Sequence, residues 1–425
     1  MTAAATEPNA APVEQQDRPT RWFEAVFIGL AVLTPPLYYL SHLALAVLVA
    51  LGGLLCLPYL LRSRKPIVGL AFLLALTGWA LASMTWSFYR EPPGTTEISI
   101  EDMTALKMLL ELGLYGAFVS AALNLSGRSA RRVTLVFAIG LMLLAALFLA
   151  EGLAGARLYA WLRAQAGQSV DPIIATRDVK RLAHLLAVLF WPVAIWLEGR
   201  GLWLAAIALA AATIAGAVLF GGEAPAAALL VSAAVFFLVR RFGRPILWAC
   251  LGGTAAYFLL TPVLVHAFIP AGADAGLAAD PERVSWAIRL DIWRYAAERV
   301  LERPFLGWGL DASRMFPAPI QLHPHNGALQ LWLELGAVGA GLAALFWAWL
   351  FGRLDRAEEA DRPMAAAAAA TACVYLIIGA LSFGVWQEWW IALGALAAAV
   401  CAIGFTARRG QVVAGSALEG GEPQA

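Results

Sequence analysis

Apolar residues gather into long runs at 22–39, 41–61, 66–84, 104–123, 133–150, 182–198, 202–220, 224–239, 246–266, 327–351, 363–383 and 389–407. About 20 apolar residues in helical form cross the hydrocarbon core of a bilayer. Inside lipid every backbone N–H and C=O must find a partner within the segment, and the helix provides that. The pattern therefore predicts an all-α polytopic membrane protein with about twelve transmembrane helices. Two boundaries are marked by little polar sequence. The first two runs meet at Pro35-Pro36, and another pair meets around Gly221-Gly222-Glu223.

The connections orient these runs. Alternate short connections hold Arg62, Arg64 and Lys65; Arg128, Arg131 and Arg132; Arg200; Arg240, Arg241 and Arg244; and Arg353, Arg356 and Arg362. Arg18, Arg21, Arg408 and Arg409 lie near the ends, whereas the opposite turns at 38–42, 221–223 and 384–388 contain no Lys or Arg. By the positive-inside rule both termini are cytoplasmic, and an even number of spans agrees. Loops 85–103, 151–181 and 267–325 then lie outside. The second and third carry eleven of the thirty Lys and Arg on the side the rule disfavours, so something besides topology holds them there.

Composition narrows the class further. Hydrophobic residues make up 61% of the chain and charged residues 14%, far from a soluble domain. A formal net charge of +1 gives no bulk attraction to nucleic acid. Cys56, Cys250, Cys373 and Cys401 each sit in an apolar run without CxxC spacing, which favours neither a disulfide framework nor a metal site. No cleavable signal peptide is read at the start. Residues 1–20 and 411–425 read as disordered cytoplasmic tails around a membrane-embedded domain at 21–410, with loop 267–325 between the ninth and tenth spans. No convincing repeat supports an inverted-repeat transporter.

Chemistry concentrates in the outer loops. In TRDVKRLAHLLAVLFWP, Arg177, Arg181, His184 and Val188 share a helix face, with Lys180 beside it. Cations at the start of a membrane helix oppose its dipole, and a bound phosphate would relieve that conflict. The alternative is that they snorkel to lipid phosphates. Residues 282–303 form an amphipathic helix with an apolar stripe of Trp286, Leu290, Trp293, Ala297, Val300 and Leu301. Arg289 lies at the stripe's edge, Arg299 on the solvated side, and Arg294 pairs with Glu298. An ion pair with a neighbouring acid is the structural alternative for Arg289. Arg303-Pro304-Phe305-Leu306-Gly307-Trp308-Gly309 reads as a turn back to the membrane.

His323-Pro324-His325-Asn326 holds two of the five histidines and opens directly into an apolar run. Asn326 can cap the helix that follows, placing His325 at the membrane boundary beside a helix N-terminus that favours neutral imidazole. A neutral histidine is a candidate general base. Two alternatives stand beside it: a capping histidine, and an HxH zinc fragment completed by His42, His184 or His266. Glu334, two turns into the span, is an intramembrane carboxylate suited to a supporting role. Gly336 and Gly339 permit close packing there.

Taken in order, Arg181-Leu-Ala-His-Leu-Leu with Trp191-Pro192, Arg289-Leu-Asp-Ile-Trp293, Arg303-Pro-Phe-Leu-Gly-Trp-Gly309, His325-Asn326 with Gln330 and Glu334-Leu335-Gly336, and Gly384-Val-Trp-Gln-Glu-Trp-Trp390 resemble the O-antigen ligases across roughly residues 60–405. O-antigen polymerases and protein O-oligosaccharyltransferases share these motifs. The resemblance implies a GT-C-like inner-membrane glycosyltransferase with a periplasmic active site, metal-independent and without a cofactor. It implies inverting transfer of a glycan from undecaprenyl diphosphate to lipid A–core oligosaccharide. It also implies His325 as the catalytic residue and Arg181 and Arg289 on the donor diphosphate; His323, Asn326 and Glu334 read from their positions as supporting residues. One departure is Gly221-Gly222-Glu223, where many members carry Ser-Arg; Lys180 or Arg177 are the candidate substitutes. A reading from another class is a flippase for lipid-linked glycans.

Overall fold

The computed structural model describes residues 14–60, 68–87, 104–270, 272, 284–316 and 318–419. The tail residues 1–13 and 420–425, the basic connection 62–65, most of loop 85–103 and residues 273–283 lie outside the described residues. Among those described, the chain is helix and turn without strands. In order, α1 spans Glu14–Leu40, α2 Ala44–Leu60, α3 Val68–Ser83, α4 Thr104–Ala122 and α5 Gly127–Ala154. The short α6 (Arg157–Gln165) and α7 (Pro172–Lys180) lead into α8 at Leu182–Glu198. Then come α9 (Trp203–Leu219), α10 (Glu223–Phe242), α11 (Arg244–Phe268) and α12 (Val284–Glu302). The last three are α13 (Gly327–Glu358), α14 (Arg362–Leu381) and α15 (Glu388–Glu419).

Every predicted apolar run is a helix. Among the described residues nine helices are long and apolar enough to cross a membrane, and three shorter apolar ones occupy Ala44–Pro58, Val68–Ser83 and Trp203–Leu219. The chain is thus an all-helical polytopic membrane protein. The bundle is built around α8, buried at every residue from Leu182 to Leu197. A helix apolar all round has no face for solvent and suits a central position. It packs against α5, α9, α14 and α15, and Trp191 Nε1 donates to Ser232 Oγ of α10 at 2.8 Å.

The boundary near Pro35-Pro36 differs from expectation. Helix α1 continues through both prolines and turns only at residues 41–43. Gly140 of α5 has no side chain to displace Pro35 or the Ala31 carbonyl, so the neighbouring helix packs directly on the proline-bearing turn. The Gly221-Gly222 boundary is a tight turn as expected, with Gly221 at φ 62°.

Three of the basic connections are paired with acids of neighbouring helices. Arg240 at the end of α10 reaches Glu198 at the end of α8 at 2.7 Å, Arg244 at the start of α11 reaches Asp355 of α13 at 3.0 Å, and Arg408 of α15 reaches Asp361, the cap of α14, at 2.7 Å.

The outer segments are more structured than loops. Helix α7 is capped by Asp171, whose side chain accepts from Ile173 N. It stops at Lys180, with Arg181 as a one-residue junction before α8. The continuous 176–192 helix expected from spacing is thus broken, and the break resolves the dipole conflict. Arg177 and Lys180 occupy the last turn of α7, where a helix dipole favours cations.

Helix α12 forms as expected, but its buried face is rotated. Ala287, Ile292, Ala296, Ala297 and Val300 are buried, while Leu301 is exposed. The helix is wedged among α11, α13 and residues 308–320, so more than one stripe is covered. Arg294 pairs with Glu298 at 3.2 Å as expected. Arg299 is not simply solvated: its Nε is buried, and its guanidinium lies 5.2 Å from the Tyr295 ring centroid.

Candidate active site

Helix α13 is interrupted at Gly336, which adopts φ 65°, ψ −162°. The interruption frees carbonyls that a regular helix would use. Trp308 N donates to Leu333 O and Gly309 N to Glu334 O, each at 2.8 Å, and Ala337 N donates to Pro304 O at 2.8 Å. Segment 304–309 is therefore more than a turn; it is laced to the broken helix. The approach requires glycine, because a Cβ on Gly307 would lie 2.5 Å from the Glu334 carbonyl.

Glu334 is fully buried at this junction. Its carboxylate accepts from Ser313 Oγ at 2.6 Å, Trp386 Nε1 at 2.6 Å, Gln330 Nε2 at 3.0 Å and Asp311 N at 3.2 Å. One side chain thus joins the segment after α12, helix α13 and the α14–α15 turn. Gln330 Oε1 accepts from Val385 N at 2.9 Å, extending the tie. Glu334→Gln removes acceptor capacity facing four donors and adds two competing donors. A loss of about 1–3 kcal/mol is expected for each buried group left unpaired, read as a lower thermal midpoint in detergent.

The tie positions the histidines. Asn326 caps α13, its side chain accepting from Leu329 N at 3.0 Å and from Tyr257 Oη at 3.2 Å. The preceding residue, His325, adopts φ 53°, a left-handed conformation unusual outside glycine. Its Nδ1 lies 2.9 Å from Ser382 O. A carbonyl only accepts, so Nδ1 carries the proton and Nε2 keeps a free lone pair. Burial pushes the His325 pKa below its ordinary value; the Ser382 bond opposes this, and the Arg289 charge adds to it. The ring is therefore neutral near pH 7.

His323 is secondary. Its ring lies 4.3 Å from that of His325, its Nδ1 accepts from His325 N at 3.2 Å, and its Nε2 faces the Gln387 amide at 3.0 Å. Burial pushes its pKa to about 3. Both nitrogens are thus engaged, leaving His325 Nε2 as the pair's free nitrogen. Among the described residues no group of three or more His, Cys, Asp or Glu is placed to hold a metal.

The cations divide into two groups. Arg289 on α12 extends over Trp286, 5.2 Å from the ring centroid, and donates to Ser285 Oγ at 2.7 Å; its Nε is buried without a partner. Lys180 interacts electrostatically with Arg289 and with Glu223. The Lys180 Nζ lies 3.9 Å from where a Gly221 side chain would begin, so it fills the space that the Gly-Gly pair leaves open. Glu223 also accepts from Trp286 Nε1 at 2.7 Å. Of this group, Arg289 acts electrostatically on His325.

Arg181 faces elsewhere. It donates to Asp178 Oδ1 at 3.0 Å and to His42 Nδ1 at 3.1 Å, and Arg177 lies against Asp178 at 3.8 Å. Lys180 and Arg181 are consecutive, yet Lys180 approaches Gly221, Glu223 and Arg289 while Arg181 turns to His42 and Asp178. His184 stands between them, its Nδ1 donating to Arg181 O at 3.1 Å and its ring edge-on to Phe383.

Sequence reasoning missed Ser382, and it gave no site role to Gln330 and Trp386, which stand in the resembling motifs, or to Glu223. Glu223 carried a signal, as an acid beside a departure from the family pattern. Ser382 offered none, because it acts through its carbonyl.

Comparison with known proteins bears on the same region. Residues 208–346 match the family model described as O-Antigen ligase. That stretch holds α12, segment 304–309, His325 and Glu334, and is narrower than the 60–405 expected from the motifs. A Rickettsia conorii protein named "Putative polysaccharide ligase" is 33% identical over 177 residues, covering 38% of this chain and 42% of that protein. Similarly named proteins of Rickettsia prowazekii and Rickettsia felis are 34% identical over 152 residues and 30% identical over 177 residues, covering 32% and 38% of this chain and 36% and 42% of theirs. The chain thus spans less than half the length of these relatives. No solved structure matches it. Family model and relatives both support the O-antigen ligase resemblance.

Proposed function

We propose, taking residues 208–346 as an O-antigen ligase segment, that this protein is a GT-C type glycosyltransferase of the bacterial inner membrane. It transfers a glycan from undecaprenyl diphosphate to lipid A–core oligosaccharide at the periplasmic face. Both termini are cytoplasmic, flanking the membrane domain at 21–410. The observation that carries the reading is His325: Nδ1 held by the Ser382 carbonyl, Nε2 free, with Arg289 close enough to depress its pKa.

In the proposed step the acceptor hydroxyl oxygen attacks the anomeric carbon while His325 Nε2 takes its proton. The bond from that carbon to the diphosphate oxygen breaks, and the diphosphate departs with the electron pair. A single displacement inverts configuration. Arg289 and Lys180 oppose the charge developing on the leaving group, the electrostatic contribution that dominates many enzymes. Arg181 is absent from this pair, so Lys180 takes the second place on the diphosphate. The chemistry uses no metal or cofactor.

Arg289→Lys keeps the charge but loses the planar fork. Loss of one charge-assisted hydrogen bond, about 1.5–3 kcal/mol, corresponds to roughly a 10- to 100-fold fall in kcat/KM for the donor. The check is steady-state transfer by purified protein with varied lipid-linked donor. Full activity in the Lys variant would make Arg289 a lipid anchor instead.

A further inference from the structure

A cavity of about 260 Å³ opens on the other side of the α7–α8 junction, between the α1–α2 turn and helices α6 and α7. Its lining includes His42, Tyr159, Arg163, Arg177, Asp178 and Arg181. Three guanidinium groups thus face one carboxylate. That carboxylate is already engaged, by Arg181 at 3.0 Å, by Tyr159 Oη at 3.2 Å and by Arg177 at 3.8 Å. Arg163 makes no ion pair among the described residues; it lies 5.9 Å from the Tyr159 ring centroid, and its Nε is buried without a hydrogen-bond partner.

His42 completes the donor set. Arginine only donates, so the 3.1 Å contact makes His42 Nδ1 an acceptor and leaves the ring proton on Nε2. Burial and the Arg181 charge push the His42 pKa to about 4, so it is a neutral donor near pH 7. The cavity therefore presents excess positive charge and hydrogen-bond donors suited to an anion. The two helices that line it, α6 and α7, also expose Leu158, Trp161, Ile173 and Ile174. Apolar side chains next to a phosphate-sized cationic cavity suit an amphiphile at a membrane edge.

We propose that this cavity is a second anion site, separate from the Arg289–Lys180 pair, which binds a phosphate group on a membrane-anchored lipid. Given the transfer reaction proposed above, on which this last step rests, the lipid is the phosphorylated acceptor, held while its sugar reaches His325.

The test uses full-length protein in phosphatidylcholine nanodiscs and three probes: bis-phosphorylated lipid A, its dephosphorylated form, and phosphatidylglycerol. The variants are Arg163→Gln and Arg163→Glu, compared by native mass spectrometry and by transfer kinetics. Expected are retention of phosphorylated over dephosphorylated lipid A, and loss of that preference by about tenfold or more in the variants, matching one charge-assisted hydrogen bond. The KM for acceptor rises while the KM for donor is unchanged, and unchanged donor binding also shows that the variants are folded. Lipid A binding that ignores Arg163 overturns the site. Equal retention and equal loss of phosphatidylglycerol overturns its assignment to the acceptor. A rise in donor KM instead places the cavity in the donor path and overturns the separation. Should lipid A binding follow Arg163 while no transfer occurs in the unsubstituted protein, the site stands and the proposed reaction falls.

Discussion

Replacing His325 with alanine abolishes glycan transfer while leaving the protein folded in the membrane. The ring is half-buried and the cap on α13 comes from Asn326, so the substitution removes the base and its one bond to Ser382 O while the helix cap stays. General-base catalysis contributes about 10²–10⁴-fold, and a loss of that size is expected in kcat with donor binding retained. Alanine adopts the left-handed conformation of His325 less readily than histidine does, so a small loss of stability accompanies the loss of the base. The pH profile supplies an independent check. The His325 pKa lies below about 6.5 because burial and Arg289 disfavour the protonated ring. The base form is the active one, so turnover is maximal above that pKa and falls as pH drops through it. The acid limb of kcat/KM, which reports the free enzyme, should have its midpoint below about 6.5. A midpoint above the ordinary histidine range would mean that a carboxylate neighbour, not Arg289, sets the environment.

Replacing Gly336 with alanine dismantles the site from beneath. Its dihedral angles fall in a region essentially closed to other residues, costing about 1–3 kcal/mol for a side chain. A Cβ there would also run into the Phe305 carbonyl and approach Gly307 N at 2.7 Å, both backbone and unable to swing aside. Relief requires parting segment 304–309 from α13, which sacrifices the bonds from Trp308, Gly309 and Ala337 at about 0.5–1.5 kcal/mol each. Together these come to about 2.5–7.5 kcal/mol, reaching the lower part of an ordinary domain's stability of about 5–15 kcal/mol. The expected result is a strong fall in thermal midpoint and loss of transfer. Gly341 lies in the same helix with open space at its Cβ position, so Gly341→Ala should be close to neutral. Equal effects of the two substitutions would contradict the packing argument.

What the sequence reveals here follows from the range of each interaction. The spans are legible because a bilayer demands long apolar helices. Asn326 as a cap is legible because capping is local. The break at Arg181 is not, since the chain around it has good helical periodicity and Arg181 is held there by His42 of the α1–α2 turn as well as by Asp178 of α7. For the same reason the sequence cannot say that Lys180, rather than Arg181, faces Arg289. Glu334 stands out as an acid in an apolar run, yet its four donors come from segments up to 52 residues away. The rotated face of α12 is hidden because one stripe was sought where α11, α13 and residues 308–320 all press on the helix.

The central claim is that His325 forms a new glycosidic bond between a lipid-linked glycan and a lipid A–core acceptor. The direct measurement is reconstitution of purified protein with both lipids, followed by mass analysis of the acceptor. The account predicts an acceptor heavier by the glycan mass, with release of undecaprenyl diphosphate, and no such product with His325→Ala. Relocation of the donor across the bilayer without any covalent product, or full product from His325→Ala, would contradict it.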